Sequence, residues 1–250
     1  MTLPDWYNVA LITGAGRGLG AAIAKSLAKD SRILVTDIDL SRASAIARAI
    51  ENSGGEAVAQ QLNVTERADF EKALLTAREK WGGVGVLVNN AAITKTTPLF
   101  DISAEEFSEV ININMGGVFA GCQILGAAFR DQKYGRIINM ASLAAQNGGA
   151  ATGAHYAASK GGIVTLTKVF ARDLAIHGVT VNAISPGPLD VELLPEILSP
   201  EKLDGLKKMV PVGHLGDPEF IAQIVCLLAS PSASSITGAT IDANGGLYVR

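Results

Sequence analysis

The sequence has few of the residues that build disulfide frameworks and metal sites. Its 250 residues include only two cysteines, Cys122 and Cys226, which lie far apart in apolar segments of helical character. Packing is the plain interpretation of both. The three histidines, His155, His177 and His214, share no spacing and have no acidic or cysteine cluster nearby, so no metal site is expected. His155 is interpreted as packing or as part of a pocket wall.

Charge is also scarce, because 18% of the residues are charged and 48% are hydrophobic, which is enough to bury a large core. The 24 acidic and 21 basic residues give a net charge of −3 without a basic stripe, which argues against a nucleic-acid partner. We find no apolar run of membrane-spanning length and no signal-peptide pattern in the sequence. We therefore expect a cytoplasmic protein that binds neither nucleic acid nor a membrane.

Strand and helix patterns alternate along the chain without repeats or linkers. The predicted strands are residues 8–13, 32–37, 57–63, 84–88, 136–141, 179–184 and 239–242. The predicted helices are residues 21–29, 41–52, 65–81, 103–129, 154–177 and a last one from 218. Apolar strands alternating with helices predict one α/β domain over residues 1–250, with a doubly wound, mostly parallel sheet of about seven strands and helices on both faces. The long irregular insertion at residues 186–212 is predicted to be a substrate loop.

A glycine-rich turn, Gly14-Ala-Gly-Arg-Gly-Leu-Gly20, joins the first strand to the first helix. Such a turn brings backbone N–H groups and the positive end of a helix dipole to one point, where a phosphate or pyrophosphate can bind. Glycines allow positive φ angles and let a ligand approach the backbone. Taken alone, the turn could equally be an ordinary strand-to-helix connection.

Tyr156 and Lys160 lie four residues apart in the predicted helix 154–177, so they share one face. A nearby cation stabilises a phenolate, and we expect Lys160 to lower the pKa of Tyr156 toward a range useful for general acid/base catalysis. A surface tyrosine–lysine pair is the plain alternative, and it is the better interpretation of these two residues alone.

Further motifs accompany that pair in a characteristic order. The glycine turn fits Thr13-Gly14-x-x-x-Gly18-x-Gly20, and the others are Asn89-Asn90-Ala91-Ala92, Asn114, Ser142, Tyr156 with Lys160, and Pro186-Gly187. Together they resemble the short-chain dehydrogenase/reductase family over nearly the whole chain. The resemblance implies a Rossmann-type domain that binds a nicotinamide dinucleotide.

The resemblance also implies a role for each of four catalytic residues. Tyr156 would exchange the proton at the reacting oxygen, and Lys160 would hold the nicotinamide ribose and lower the pKa of Tyr156. Ser142 would hydrogen-bond the substrate oxygen, and Asn114 would hold a water that links Lys160 to solvent. The expected cofactor contacts are Gly14, Arg17, Gly18, Leu19, Gly20, Asp37, Asn63, Val64, Asn90, Ala91, Tyr156, Lys160, Pro186 and Gly187.

Two residues give opposite indications about the cofactor. Asp37, at the end of the second strand, can accept hydrogen bonds from the adenosine ribose and repels a 2′-phosphate, although it could also be a turn residue. Arg17 lies in the glycine turn, where relatives that prefer the phosphate often carry a base. Because Asp37 is short and fixed, we expect NAD, with NADP less favoured. Asn63 stands where the family usually has an aspartate, and its amide oxygen could accept from the adenine amino group.

The expected activity is the interconversion of a secondary alcohol and a ketone, with a small-molecule substrate. One alternative is a 3-oxoacyl-(acyl carrier protein) reductase, because residues 210–219 and 236–246 resemble parts of those reductases. A non-catalytic dinucleotide-binding protein is the alternative from another class. The apolar run 220–228 is interpreted as a buried helix or a subunit interface, and the family's frequent tetramers favour a homotetramer.

Overall fold

The computed structural model describes residues 3–149, 152–191 and 200–249, which contain one seven-stranded sheet. Its strands are β1 (Val9–Ile12), β2 (Arg32–Asp37), β3 (Ala57–Gln61), β4 (Val86–Asn89), β5 (Gly135–Met140), β6 (Val179–Pro186) and β7 (Thr240–Ala243). The order is β3-β2-β1-β4-β5-β6-β7, and all neighbouring strands are parallel. The predicted strands are confirmed, with ends that differ by no more than the usual one or two residues.

Helices cover both faces of the sheet, as the alternating pattern predicts. They are α1 (Gly18–Leu27), α2 (Leu40–Asn52), α3 (Arg67–Trp81), α4 (Ala104–Ile111), α5 (Gly117–Gln132), α6 (Ala144–Asn147), α7 (Ala154–Leu174), α8 (Pro200–Met209) and α9 (Pro218–Ala229). One apolar cluster joins the sheet to α3, α5 and α7, and a second joins it to α1, α2 and α9. The predicted doubly wound α/β fold is therefore confirmed.

The position of β1 determines where a ligand can bind. The chain crosses from β1 to β2 on one side and later returns to place β4 on the other side of β1. The loops that leave the carboxyl ends of β1 and β4 consequently diverge and open a crevice. Open parallel sheets bind their ligands at this kind of reversal.

The helix predicted over residues 103–129 is not a continuous α-helix. A π-helix at Asn112–Gly116 separates α4 from α5, and α5 continues to Gln132. A π turn contains an extra residue and is frequent at functional sites. Apolar periodicity does not reveal this interruption, because the segments on both sides are helical.

The expectation of an irregular insertion over residues 186–212 is wrong in its second half, which forms α8. Pro200 opens this helix, Glu201 lies in its first turn, and Lys207 and Lys208 lie in its last turn. These residues complement the helix dipole and could have been recognised as helix-end signals. Residues 192–199 of the insertion lie outside the described part of the chain.

The expectation that no apolar run reaches membrane-spanning length also needs correction. The helical stretch Ala104–Gln132 is long and apolar enough to cross a membrane by length and composition. Half of its most apolar window is buried within the protein, and α5 packs against β4, β5, α3 and α7. The apolarity of this stretch is accounted for by its contact with the sheet, as in other core helices.

Candidate active site

The glycine turn after β1 packs backbone against backbone. Gly14 has a φ of +62°, and a Cβ on it would lie 2.8 Å from the Cα of Ala91 beyond β4. A Cβ on Gly20 would overlap the carbonyl oxygen of Gly14 and lie 2.6 Å from the amide nitrogen of Asn90. Any side chain at these positions would therefore push the turn away from the end of β4.

Polar side chains fix the same contact between β1 and β4. The hydroxyl of Thr13 accepts the backbone N–H groups of Asn90 and Ala91 at 3.0 and 3.1 Å. The side-chain amide of Asn90 donates to the carbonyl groups of Thr13 and Gly14, both at 3.0 Å. Thr13 and Asn90 thus hold the glycine turn in place, which explains why both belong to the motifs.

A cleft of about 920 Å³ opens over this turn. Ten of the predicted cofactor contacts line it: Gly14, Arg17, Gly18, Leu19, Gly20, Asp37, Asn63, Val64, Asn90 and Ala91. The first turn of α1 has no side-chain cap and no acidic residue, so its N–H groups and dipole are available to an anion. The glycine cradle, the helix end and the size of the cleft all fit a dinucleotide.

Asp37 acts both as a turn residue and as part of the cleft wall. Its carboxylate accepts the backbone N–H groups of Gly16 at 2.9 Å and Asp39 at 3.0 Å, and the residue is buried. Arg17 is exposed. Sequence reasoning missed Arg42, which also lines the cleft and whose Nε lies 3.2 Å from the carboxylate of Asp39. Its place in the first turn of α2, beyond Asp37, was the available signal.

Asn63 lines the cleft, but its side-chain oxygen already has two protein partners. That oxygen accepts the backbone N–H of Thr65 at 3.1 Å and the hydroxyl of Thr65 at 3.0 Å. This local turn competes with the acceptor role predicted toward adenine. Val64 is buried against Gly117 of α5 and shapes the wall beside it.

Tyr156 is half-buried in the first turns of α7, where its phenol hydrogen-bonds with the hydroxyl groups of Ser142 and Thr94. Burial raises the pKa of Tyr156, and these two hydrogen bonds only partly offset it. The expected lowering of the pKa by Lys160 is not seen, because burial of the phenol is the largest influence and Ser142 and Thr94 are the groups that lower the pKa. Sequence reasoning did not anticipate Thr94.

Lys160 lies beneath Tyr156 in the protein interior. Its Nζ is 5.6 Å from the centroid of the Tyr156 ring and donates to the carbonyl of Met140, at the end of β5, at 2.7 Å. Burial lowers the pKa of Lys160 to about 8. The side chain is only 3% exposed, so its ammonium is held between the phenol and the edge of the sheet.

Asn114 lies in the π-helix and is completely buried. Its side chain accepts the N–H of Ile93 at 2.8 Å, donates to the carbonyl of Ile93 at 2.9 Å, and donates to the hydroxyl of Ser159 at 3.2 Å. Ser159 in turn donates to the carbonyl of Tyr156 at 2.7 Å. The side chain of Asn114 thus joins the loop after β4 to the helix that carries Tyr156 and Lys160.

Pro186 ends β6, and Gly187 follows it on the side of the site where Ser142 lies. The carbonyl of Pro186 accepts the N–H of Leu143, next to Ser142, at 2.9 Å. A Cβ on Gly187 would lie 2.9 Å from the Cα of Asn244, so the backbone is closely packed there as well. These two residues border the site near Ser142 and are not among those that line the cleft over the glycine turn.

Comparison with known proteins identifies the family. The chain belongs to the short-chain dehydrogenase/reductase family, whose members use nicotinamide dinucleotide cofactors and act on CH–OH donors. It is an oxidoreductase of the class that interconverts secondary alcohols and ketones. A family model described as enoyl-(acyl carrier protein) reductase matches residues 14–248.

Individual relatives match over nearly their whole length. The 3-oxoacyl-[acyl-carrier-protein] reductase FabG of Vibrio cholerae is 38% identical over 243 residues, which is 97% of this chain and 98% of the relative. FabG of Escherichia coli K12 is 37% identical over 245 residues, with the same coverage. The 3-oxoacyl-[acyl-carrier-protein] reductase of Synechocystis is 36% identical over 245 residues, or 97% of each chain.

We predict that Gly20→Ala will weaken binding of the cofactor at least about tenfold, because the added methyl group overlaps the Gly14 carbonyl and displaces the cradle. Gly205→Ala is the matched control. A Cβ there meets nothing within 4 Å, so it should leave affinity unchanged and stabilise α8 by about 0.5–1 kcal/mol. Fluorescence titration with reduced cofactor measures the affinity of each variant, and equal affinities of Gly20→Ala and Gly205→Ala would contradict the packing described.

The buried Lys160 predicts a specific pH dependence of stability. Its pKa is about 8 in the folded protein against 10.5 for the ordinary group, so between these values the unfolded chain binds more protons. The free energy of unfolding should therefore rise with pH over this window, by up to about 3 kcal/mol relative to Lys160→Met. Denaturant unfolding of both proteins at pH 7, 8, 9 and 10 tests this, and parallel curves would contradict it.

Proposed function

We propose that Tyr156, Ser142, Lys160 and Asn114 form the catalytic group of a carbonyl reductase. The observation that supports this most directly is that the phenol of Tyr156 interacts with the hydroxyl of Ser142, while its ring centroid lies 5.6 Å from the buried ammonium of Lys160. A carbonyl oxygen placed there would accept hydrogen bonds from both hydroxyls. The nicotinamide cofactor supplies the hydride when it is bound.

The proposed direction of proton transfer agrees with the raised pKa of Tyr156. Because burial raises it, the phenol keeps its proton at neutral pH and can donate it to the oxygen of a ketone as that oxygen gains charge. Ser142 holds the oxygen in place, and Lys160 supplies positive charge below the ring to stabilise the phenolate that remains. We predict that the phenolate of Tyr156 regains its proton through a water molecule near Asn114. A non-catalytic dinucleotide-binding protein has no need of this arrangement.

We further propose that the substrate is a 3-oxoacyl group carried as a thioester on an acyl carrier protein. All the relatives named above are reductases of such groups. The family model's description names the same carrier but a different bond, the carbon–carbon double bond of an enoyl group. Convergence of two hydroxyls on one oxygen favours reduction of the carbonyl. A small free alcohol or ketone is the second candidate.

The preferred cofactor is proposed to be NAD. Two backbone N–H groups fix the Asp37 carboxylate at the cleft wall, whereas Arg17 is exposed and Arg42 is paired with Asp39. Like unit charges about 4 Å apart repel by roughly 4 kcal/mol at an effective dielectric constant of about 20. A 2′-phosphate facing Asp37 would meet that repulsion unless an arginine turned toward it.

We also propose a cytoplasmic homotetramer. One side of α9 packs on the sheet through Ile221, Val225 and Leu228, while Phe220 and Leu227 on its other side are 54% and 56% exposed. The buried side fits the interpretation of residues 220–228 as a core helix, and the exposed side is the part available for the proposed subunit interface. A second subunit that covered the exposed side would bury these two side chains.

Tyr156→Phe should reduce kcat by about a hundred- to ten-thousand-fold while cofactor affinity stays within about threefold, because only the proton donor is lost. Tyr7→Phe, before β1 at the opposite edge of the sheet, is the control and should behave as the parent. Reduction of a 3-oxoacyl thioester and of a simple ketone, followed by nicotinamide absorbance, is the measurement. A Phe variant with more than about a tenth of the parent rate would contradict the assignment.

Asp37→Ala should relax the preference for NAD, and Asp37→Ala combined with Ile38→Arg should reverse it, since Ile38 is 63% exposed in the cleft wall. The measured quantity is the ratio of kcat/KM for the two cofactors, with the exposed, distant Asp131→Ala as control. A parent ratio that favours NADP would show that Arg17 or Arg42 dominates the pocket.

A further inference from the structure

His155, the residue before Tyr156, has no solvent exposure and makes two hydrogen bonds with its ring. Its Nε2 lies 2.8 Å from a carboxylate oxygen of Glu106 on α4. Its Nδ1 lies 2.9 Å from the backbone nitrogen of Tyr156 and accepts that N–H. Because Nδ1 is the acceptor, the ring proton must be on Nε2, which donates to Glu106.

The hydrogen bond between Tyr156 and His155 satisfies a backbone N–H that has no partner within the helix. Tyr156 is the third residue of α7, and N–H groups in the first turn have no partner within the helix. Gly153, the residue before α7, has no side chain that could cap them. The imidazole of His155 therefore takes the place of an N-cap side chain at the residue that carries the reacting phenol.

The ring of His155 packs tightly against Gly153. A Cβ on Gly153 would lie 2.6 Å from Nδ1, so only glycine leaves room for the ring. The N–H of Gly153 donates to the carbonyl of Lys95 at 2.9 Å, which ties this corner to the loop after β4. That loop also carries Thr94, whose hydroxyl hydrogen-bonds with the Tyr156 phenol.

The carboxylate of Glu106 binds His155 and not the backbone of Ser103, which a capping box would require. The sequence Ser103-Ala-Glu-Glu106 predicts a capping box, and the Ser103 hydroxyl does accept the N–H of Glu106 at 3.1 Å. The carboxylate of Glu106 does not complete the box. It hydrogen-bonds with Thr97 and His155 instead, and these bonds together with the charge of Lys95 lower its pKa. It therefore stays ionised as the acceptor for the imidazole.

We propose that His155 is a positioning residue for the reaction, acting through its Nδ1 bond to the backbone of Tyr156, with Glu106 fixing the ring. This inference depends on the proposed role of Tyr156 as general acid. The ring sets the first turn of α7 and hence the place of the phenol relative to Ser142 and Thr94. A displacement of about 1 Å in such a group can cost about a hundredfold in rate.

Two variants separate the ring's two bonds. In His155→Asn the amide oxygen can take the place of Nδ1 and keep the bond to Tyr156 while the bond to Glu106 is lost. In His155→Gln the amide nitrogen can take the place of Nε2 and keep the bond to Glu106 while the bond to Tyr156 is lost. Each variant loses one hydrogen bond, so both should be destabilised to a similar extent.

We expect His155→Gln to lower kcat at least about tenfold with KM nearly unchanged, and His155→Asn to stay within about threefold of the parent. His177→Gln, on the surface beyond α7, is the control for replacing a histidine. A kcat that follows Tm, or equal losses in the two variants, would overturn the proposal.

A second measurement does not depend on turnover. The chain has four tyrosines, so labelling with ¹⁵N-tyrosine gives few backbone amide signals, and hydrogen exchange at Tyr156 can be followed directly. Exchange at this amide should be faster in His155→Gln than in the parent or in His155→Asn. Equal rates in all three would overturn the proposal. If Tyr156→Phe remains active, the proposed function fails, while the amide exchange still decides whether His155 holds this turn.

Discussion

The hydrogen bonds between the ends of β1 and β4 are the contact on which the site depends. Thr13 and Asn90 bind each other's backbone across the two strands, and Gly14 and Gly20 allow the chains to approach without a methyl group between them. Their joint effect is to fix the start of α1 above the crevice. With larger residues at these points the strands could still pair, but the helix end and its N–H groups would no longer face the cleft.

The side chains proposed for catalysis are likewise anchored to a strand end or to the loop that follows one. Lys160 is tied to the last carbonyl of β5, and Asn114 is tied to the loop after β4. Burying an ammonium group with a carbonyl partner is unfavourable for folding, and the lowered pKa of Lys160 is the sign of that cost. The protein therefore retains a destabilising group at the position where the proposed reaction would use a positive charge next to the phenol.

Sequence patterns predicted the features that depend on residues close together in the chain. Strand periodicity, the glycine turn and the order of the motifs predicted the sheet and ten of the residues that line the cleft. They did not reveal interactions made by a side chain with a distant segment. The oxygen of Asn63 accepts hydrogen bonds from Thr65, the carboxylate of Glu106 binds His155 and does not complete its capping box, and burial raises the pKa of the Tyr156 phenol. In each of these three cases the interaction depends on how the side chain is packed in the folded protein, which a local sequence pattern does not encode.

The π turn at Asn112–Gly116 limits which deletions the helical stretch Ala104–Gln132 can accept. Since a π turn holds an extra residue, removing one residue there would allow a regular α-helix. The same deletion would rotate everything before it by about 100° relative to α5, and would take the amide of Asn114 away from Ile93 and Ser159. The extra residue of the π turn therefore sets the angular position of α4 relative to α5, and a deletion that merely shortens the helix would break the buried hydrogen bonds of Asn114.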